Sequence, residues 1–168
     1  MTAEVFWTKE KYPGRIALVP RPRGGEWLED EAAAWSNAGL DVIVSMLDAE
    51  ETQSFELERE AEFCAANGIE FVACPVADRS VPEINEAFLQ VVEKLKKLLL
   101  NGKNTGIHCR QSVGRAPLMA AVLMISFGIE PDEAFRQLSK VRGVEVPETD
   151  EQRKWAERFA KESVTVIA

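Results

Sequence analysis

Residues 105–128 read TGIHCRQSVGRAPLMAAVLMISFG and carry the clearest structural pattern in the chain. Thr105 to His108 predicts a short strand, and Pro117 to Phe127 is apolar on every side before Gly128. A helix that is hydrophobic all round must be buried. The stretch therefore predicts a strand and a central helix that are joined by the loop Cys109–Gly114.

On either side of this unit, short apolar strands alternate with segments of helical periodicity. We predict further strands at Arg15–Val19, Asp41–Ser45 and Glu70–Ala73, and helices at Trp27–Asn37, Glu56–Asn67, Ser80–Asn101, Asp132–Val141 and Asp150–Glu162. The long helix is expected to begin at Ser80 because Ser80–Glu83 is a capping box. Alternating strands and helices predict an α/β fold: one domain over residues 1–168, a largely parallel sheet of four to five strands and helices on both faces.

The composition excludes several classes of function. With a formal charge of −8 over 168 residues, the chain would repel a polyanion, so we expect no nucleic-acid partner. It has no apolar run long enough for a membrane span and no signal-peptide pattern, so we expect a cytoplasmic protein without a membrane partner. Three cysteines without metal-site spacing and a single histidine, His108, indicate no disulfide framework, no metal site and no cofactor.

Cys109 and Arg115 stand at the two ends of the loop with the spacing Cys-x5-Arg. A loop of this length can turn its backbone N–H groups inward, so that they and the N-terminus of the next helix bind a tetrahedral anion. The Arg115 guanidinium matches two phosphoryl oxygens, and the same positive field favours the thiolate form of Cys109. These residue types predict a phosphate-binding loop that contains a nucleophile.

The run from His108 to Arg115 resembles the His-Cys-x5-Arg signature of the cysteine-dependent tyrosine and dual-specificity phosphatases, and the likeness extends over nearly the whole chain. The resemblance implies a small, single-domain phosphatase of the prokaryotic type in which Cys109 attacks a phosphate monoester and forms a phosphocysteine. His108 would orient the loop, and Arg115 would bind the phosphoryl group. The loop residues implied in substrate binding are Arg110, Gln111, Ser112, Val113 and Gly114.

The resemblance also implies a general acid. In the family, an aspartate on a loop about thirty residues before the cysteine protonates the leaving oxygen, and Asp78 matches it. Arg79 beside it is a candidate substrate contact. The segment 146–152 is similar to one whose glutamine positions water in parts of the family, which implies such a role for Gln152. However, Thr149–Gln152 is itself a capping box, which would give Gln152 a structural role instead.

Two positions depart from the commonest family pattern. Ser112 replaces the usual glycine, which costs conformational energy if this position needs a positive φ. Ala116 replaces a serine or threonine whose hydroxyl stabilises the departing thiolate, so we expect slow breakdown of the phosphocysteine. Cys74 is a candidate for a protective disulfide with Cys109 under oxidation. Arg21 is expected to lie in a solvated loop.

The expected substrates are phosphorylated proteins or small phosphate monoesters, and phosphate and vanadate are the expected inhibitors. Phosphotyrosine is favoured, with phosphoserine and phosphothreonine as further candidates. Three alternatives stay open. The first is a phosphoprotein-binding module with little turnover, which Ser112 and Ala116 favour. The second is a sulfurtransferase, whose loop is one residue shorter. The third is an arsenate reductase, for which only Cys64 and Cys74 are available as resolving cysteines.

Overall fold

One five-stranded sheet organises the chain in the computed structural model, which describes the backbone of residues 1–167 and the side chains of residues 1–162. The strands are β1 (Phe6–Lys11), β2 (Arg15–Leu18), β3 (Val42–Ser45), β4 (Glu70–Ala73) and β5 (Thr105–His108). Their order across the sheet is β1-β2-β5-β3-β4, with β1 antiparallel to β2 and every other pair parallel. The predicted α/β fold with a largely parallel sheet is confirmed.

Helices cover both faces of this sheet, as predicted. Within the described part of the chain they are α1 (Leu28–Asn37), α2 (Ala49–Ser54), α3 (Glu60–Ala66), α4 (Glu86–Leu100), α5 (Arg115–Ser126), α6 (Pro131–Arg142) and α7 (Asp150–Ile167). Helices α1 and α3 share a core with one face, whereas α4 to α7 share a larger core with the other. None of the described helices has the length and hydrophobicity that a membrane span requires.

Strand β5 lies at the centre of the sheet, and its alternating side chains enter both cores. Ile107 packs into the core formed with α4 to α7, while the ring of His108 stacks on Trp35 of α1 at a centroid distance of 6.1 Å. Helix α5 is buried along most of its length, since every residue from Arg115 to Met124 is buried. The loop between β5 and α5 is therefore held at both ends by the most buried elements of the fold.

The predicted start of α4 at Ser80 is wrong. The helix begins at Glu86, because the Asn85 side chain caps it by accepting a hydrogen bond from the Phe88 backbone N–H at 2.9 Å. The capping pattern at Ser80–Glu83 is not used, and residues 74–85 form an irregular loop. We call this segment the acid loop because it contains Asp78.

Two further elements differ from the prediction. The expected helix Glu56–Asn67 is limited to α3, and helix α2, whose capping box joins Asp48 and Glu51, was not predicted. Strand β1 is also unpredicted. Its last three residues, Lys9 to Lys11, are all exposed, so the strand lacks the alternation of apolar and polar residues by which strands are recognised.

Candidate active site

The loop 109–114, which we call the phosphate loop, opens into a cleft at the carboxyl edge of the sheet. Gly114 precedes α5, and Arg115 is the first residue of that helix. The first N–H groups of a helix have no partner within it, so this end of α5 is suited to an anion. The cleft measures about 270 Å³ and is lined by Asp78, Arg79, Cys109, Arg110, Gln111, Val113, Gly114 and Glu148.

Arg115 is 1% exposed, and acceptors from three segments hold its guanidinium: α2, the acid loop and Met46 directly after β3, whose carbonyl accepts from Nη1 at 3.3 Å. Nη1 donates to Glu51 Oε1 at 2.6 Å and to the Val76 carbonyl at 2.7 Å, while Nη2 donates to Glu51 Oε2 at 2.8 Å. Nη2 also donates to Asp78 Oδ1 at 3.2 Å. Burial is the largest influence and acts to raise the pKa of Glu51, but the hydrogen bonds from Arg115 and the Asp48 N–H, together with the charges of Arg115 and Arg110, lower that pKa. The two-point contact fixes the orientation of the guanidinium beside Asp78.

Ser112 has the positive φ, 59°, that makes a serine costly at this position. Its buried hydroxyl donates to the Val19 carbonyl at 2.6 Å and so ties the phosphate loop to the end of β2. The side chain therefore turns away from the cleft, and only the backbone of Ser112 is available to a substrate. Arg142 adds a second tie by donating from Nη2 to the Gln111 carbonyl at 3.2 Å.

His108 is fully buried and contacts a carboxylate from α3, on the face of the sheet opposite to α5. Its Nε2 lies 2.8 Å from both carboxylate oxygens of Glu60 on α3, and Nδ1 has no hydrogen-bond partner among the described residues. Glu60 is itself only 2% exposed. The ring next to Cys109 is thus fixed in orientation, and its role in orienting the loop stays a prediction.

The acid loop brings Asp78 and Arg79 to the cleft beside Arg110. The Asp78 side chain is 39% exposed, and Oδ2 lies 3.8 Å from Arg110 Nη1. The Arg110 guanidinium lies 5.4 Å from the ring centroid of Phe55. Arg21, which we expected in a solvated loop, packs at 3.6 Å over the same ring, and its buried Nε has no hydrogen-bond partner in the part of the chain that the structure describes. Arg79 and Arg110 therefore line the cleft, and Arg21 packs near Arg110 on the Phe55 ring.

Gln152 is buried and does not line the cleft. Its Oε1 accepts a hydrogen bond from the Thr149 backbone N–H at 3.2 Å, which is the capping-box arrangement. Its Nε2 donates to the Ser80 carbonyl at 3.3 Å. From the same segment, Glu148 does line the cleft, where its Oε2 accepts from Arg79 Nη1 at 3.2 Å.

The two remaining cysteines are poor nucleophiles at neutral pH. Burial, followed by the charge of Glu60, raises the pKa of Cys64 to about 12, and burial raises the pKa of Cys74 to about 11. Both thiols are therefore largely protonated, which weakens the arsenate-reductase alternative because resolving cysteines react as thiolates.

Three acidic residues around the site were not among the sequence-based candidates. Glu51 holds Arg115, Glu60 holds His108, and Glu148 pairs with Arg79. The Asp48–Glu51 spacing is a capping-box pattern that could have located α2 and hence Glu51. Glu60 and Glu148 have no local pattern that sets them apart.

A central strand and a buried helix joined by a Cys-x5-Arg loop define a cysteine-phosphatase type of domain. The family model described as "Dual specificity phosphatase, catalytic domain" matches residues 31–157 of the sequence. The chain belongs to the dual-specificity phosphatase family.

The chain is similar to known members of this family. Cyclin-dependent kinase inhibitor 3 of Rattus norvegicus is 33% identical over 87 residues, which are 51% of this chain and 41% of the relative. The match therefore spans less than half the length of that relative. A crystal structure of kinase associated phosphatase with a substitution of its catalytic-site cysteine to serine gives a TM-score of 0.86 at 20% identity, covering 98% of this chain and 97% of the other.

A second solved structure, PTPMT1 in complex with PI(5)P, gives a TM-score of 0.76 at 18% identity and covers 95% of this chain and 98% of the other. At these identities, the structural likenesses show the fold alone.

Proposed function

We propose that the protein hydrolyses phosphate monoesters through a phosphocysteine intermediate without a metal ion. Phosphotyrosine is the first candidate substrate, followed by phosphoserine and phosphothreonine. The observation that carries the proposal is the position of Arg115: it closes the Cys-x5-Arg loop, is buried against Glu51 and contacts Asp78. The nucleophile and the acid both line the cleft, and the buried anion-binding group contacts the acid.

The proposed reaction has two steps. In the first, the Cys109 thiolate forms an S–P bond while the P–O bond to the leaving group breaks, and the Asp78 carboxyl gives its proton to the departing oxygen. In the second, water attacks phosphorus, the S–P bond breaks, the thiolate is restored and Asp78 accepts a proton from the water. Arg115 and the loop N–H groups bind the phosphoryl oxygens throughout. A bound phosphoryl group would replace Asp78 as the acceptor of the hydrogen bond that Arg115 Nη2 donates in this structure.

A phosphoprotein is favoured over a phosphoinositide. PTPMT1 is similar in fold and was solved with PI(5)P, so an inositol lipid is a natural comparison substrate. Such a lipid carries a further phosphate, whereas the phosphate loop of this chain has only Arg110 as a cation besides Arg115, and the other arginine that lines the cleft, Arg79, is paired with Glu148. Phosphate release from phosphotyrosine, phosphoserine and phosphothreonine peptides and from PI(5)P would rank these classes.

The decisive experiment measures hydrolysis of p-nitrophenyl phosphate in EDTA by wild type, Cys109→Ser and Cys74→Ser. Cys74 offers a matched control because it is buried like Cys109 but does not line the cleft. We expect Cys109→Ser to lose at least about 10³-fold in kcat, since the covalent route is removed, and Cys74→Ser to stay close to wild type. Vanadate should inhibit competitively. Equal rates for wild type and Cys109→Ser would exclude the proposal.

Ala116 supports slow breakdown of the phosphocysteine. The residue is fully buried directly after Arg115 and offers no hydroxyl to the departing thiolate. We expect a burst of p-nitrophenol equal to the enzyme concentration, followed by slow turnover, and a faster second phase in Ala116→Ser. A linear time course without a burst would contradict this. The same residue favours a second candidate function, phosphoprotein binding with little turnover, which a burst followed by no turnover would support.

A further inference from the structure

The acid loop is tied to the loop between α6 and α7, residues 143–149, and to the start of α7. Arg79 Nη1 donates to Glu148 Oε2 at 3.2 Å, and Gln152 Nε2 donates to the Ser80 carbonyl at 3.3 Å. Arg79 and Ser80 directly follow Asp78, so both contacts act on the residues next to the proposed acid. We call these two contacts the loop clasp.

Gly114 lets the residues of the loop clasp approach the phosphate loop closely. A Cβ atom at this position would lie 2.6 Å from Glu148 Oε1 and 2.9 Å from Gln152 Nε2, which is closer than real Cβ contacts allow. Glu148 and Gln152 therefore lie between the phosphate loop on one side and the acid loop on the other. They are placed to set the distance between the two.

The surroundings of Gln152 argue against a role in positioning water. Both ends of its amide have protein partners, the Thr149 N–H and the Ser80 carbonyl, and the side chain is fully buried behind the cleft. What Gln152 holds is the backbone of the acid loop. The capping box fixes the side chain so that Nε2 faces Ser80.

Two features of the clasp would be unfavourable on their own. Arg79 has a φ of 62°, a conformation that is disfavoured for a residue with a Cβ and that persists only where surrounding contacts hold it. Glu148 places a carboxylate in a cleft that has to accept a phosphate dianion, which raises the cost of substrate binding. The Arg79–Glu148 pair offsets both effects, since it restrains Arg79 and neutralises Glu148.

We propose that Glu148 and Gln152 are positioning residues that hold the acid loop against the phosphate loop so that Asp78 reaches the leaving oxygen. This inference rests on the proposed function. Glu148 and Gln152 pack against Gly114 but, among the described residues, make no hydrogen bond to the phosphate loop, and Arg115 is held separately by Glu51. Loss of the clasp therefore weakens proton donation and leaves nucleophilic attack in place.

The leaving group of the substrate separates these two effects. Phenoxide is a poor leaving group and needs a proton from Asp78, whereas 2,4-dinitrophenoxide departs as a stable anion. A clasp variant should lose kcat/KM on phenyl phosphate and keep it on 2,4-dinitrophenyl phosphate. A residue with a purely structural or binding role would change both substrates alike.

The experiment compares Glu148→Gln and Gln152→Met with matched controls on both esters. Glu145→Gln removes a carboxylate from the same loop that is 87% exposed, and Glu151→Gln changes an exposed side chain one position before Gln152 that takes no part in the clasp. We expect each clasp variant to lose about tenfold on phenyl phosphate, a part of the 10²–10⁴ that general acid catalysis provides, and less than twofold on the dinitrophenyl ester. The control variants should keep the wild-type kcat/KM on both esters.

Combination with Asp78→Asn completes the test. In that background no acid is left to position, so adding Glu148→Gln should cause no further loss on phenyl phosphate. Equal losses on both esters, a gain on both, or a loss that persists in Asp78→Asn would overturn the loop clasp. If wild type does not exceed Cys109→Ser on 2,4-dinitrophenyl phosphate, the proposed function fails and the clasp fails with it. If wild type is faster than Cys109→Ser but the clasp variants lose no more activity on phenyl phosphate than on the dinitrophenyl ester, only the clasp fails.

Discussion

The phosphate loop and the acid loop meet at one cleft but are held in different ways. The phosphate loop joins the central strand β5 to the buried helix α5, and its anchors, Ser112 and Arg115, are each 1% exposed. The acid loop follows the edge strand β4, and the side chains of Asp78 and Arg79 are 39% and 63% exposed. In the proposed function, anion binding is thus assigned to the core and proton transfer to a surface segment. Mutations should therefore separate the two functions.

The largest effect is expected from Arg115→Lys. A lysine cannot reproduce the two-point contact with Glu51 or bind two phosphoryl oxygens in one plane, so kcat/KM should fall by about 10³ on good and poor leaving groups alike. Arg136→Lys, at an exposed arginine on α6, is the matched control and should be silent. A loss confined to phenyl phosphate would show that Arg115 acts with the acid loop, contrary to the comparison above.

Glu51→Gln should destabilise the fold by about 3 kcal/mol, because it leaves the buried Arg115 charge without its main partner. The folded-state pKa of Glu51 lies below its ordinary value of 4.5, so this contribution is present above that pH and is lost as the pH falls through the lowered pKa. The stability difference between wild type and variant in urea unfolding should therefore shrink below about pH 4.5. Glu50→Gln, at the exposed neighbour, should show neither effect; a difference that stays constant with pH would contradict the assignment.

Asp78→Asn tests the surface side of the comparison. It should reduce kcat/KM on phenyl phosphate by about 10² and leave the dinitrophenyl ester nearly unchanged, since only proton donation is removed. Thermal stability should stay close to wild type because the side chain is partly exposed. Asp132→Asn, at an aspartate that is 89% exposed, controls for the change in charge. A comparable loss on both esters would place Asp78 in anion binding instead.

The smallest effect is expected at Ser112, where two terms oppose each other. Ser112→Ala loses the hydrogen bond to Val19 and keeps the positive φ, so it should cost about 1 kcal/mol in stability. Ser112→Gly loses the same bond but relieves the backbone, so it should be closer to neutral. Chemical denaturation of both variants measures the difference. If Ser112→Gly is less stable than Ser112→Ala, the positive φ of this residue does not cost the stability that we assign to it.

The sequence predicts the phosphate loop better than the acid loop for a physical reason. The strand Thr105–His108, the buried helix and the Cys-x5-Arg spacing are all local patterns, and the structure keeps them nearly unchanged. In the acid loop two capping patterns compete, Ser80–Glu83 and the Asn85 cap that the structure uses. Local propensity does not decide between them, because the contact that holds Ser80 comes from Gln152, far along the chain.

The pairings of the supporting acids could not be read from the sequence because their partners are distant, although a capping pattern could have located Glu51 itself. Glu51 lies 64 positions from Arg115 and Glu60 lies 48 positions from His108, and nothing near either glutamate marks it as paired. The chain has many solvated glutamates with the same local appearance. The parallel pairing of β3 with β5 brings the segments that contain these pairs together.

The contact between His108 and Glu60 joins the central strand β5 to α3, on the face of the sheet that α1 and α3 cover. None of the residues that line the cleft comes from α1 or α3, yet these helices supply the ring that stacks on His108 and the carboxylate that fixes it. Substitutions far from the cleft opening should therefore lower catalytic activity as well as substitutions close to it. Saturation mutagenesis with an activity readout should therefore show a second group of positions where substitution lowers activity. This group should include Trp35 and Glu60, which lie on the face of the sheet away from the cleft-lining residues.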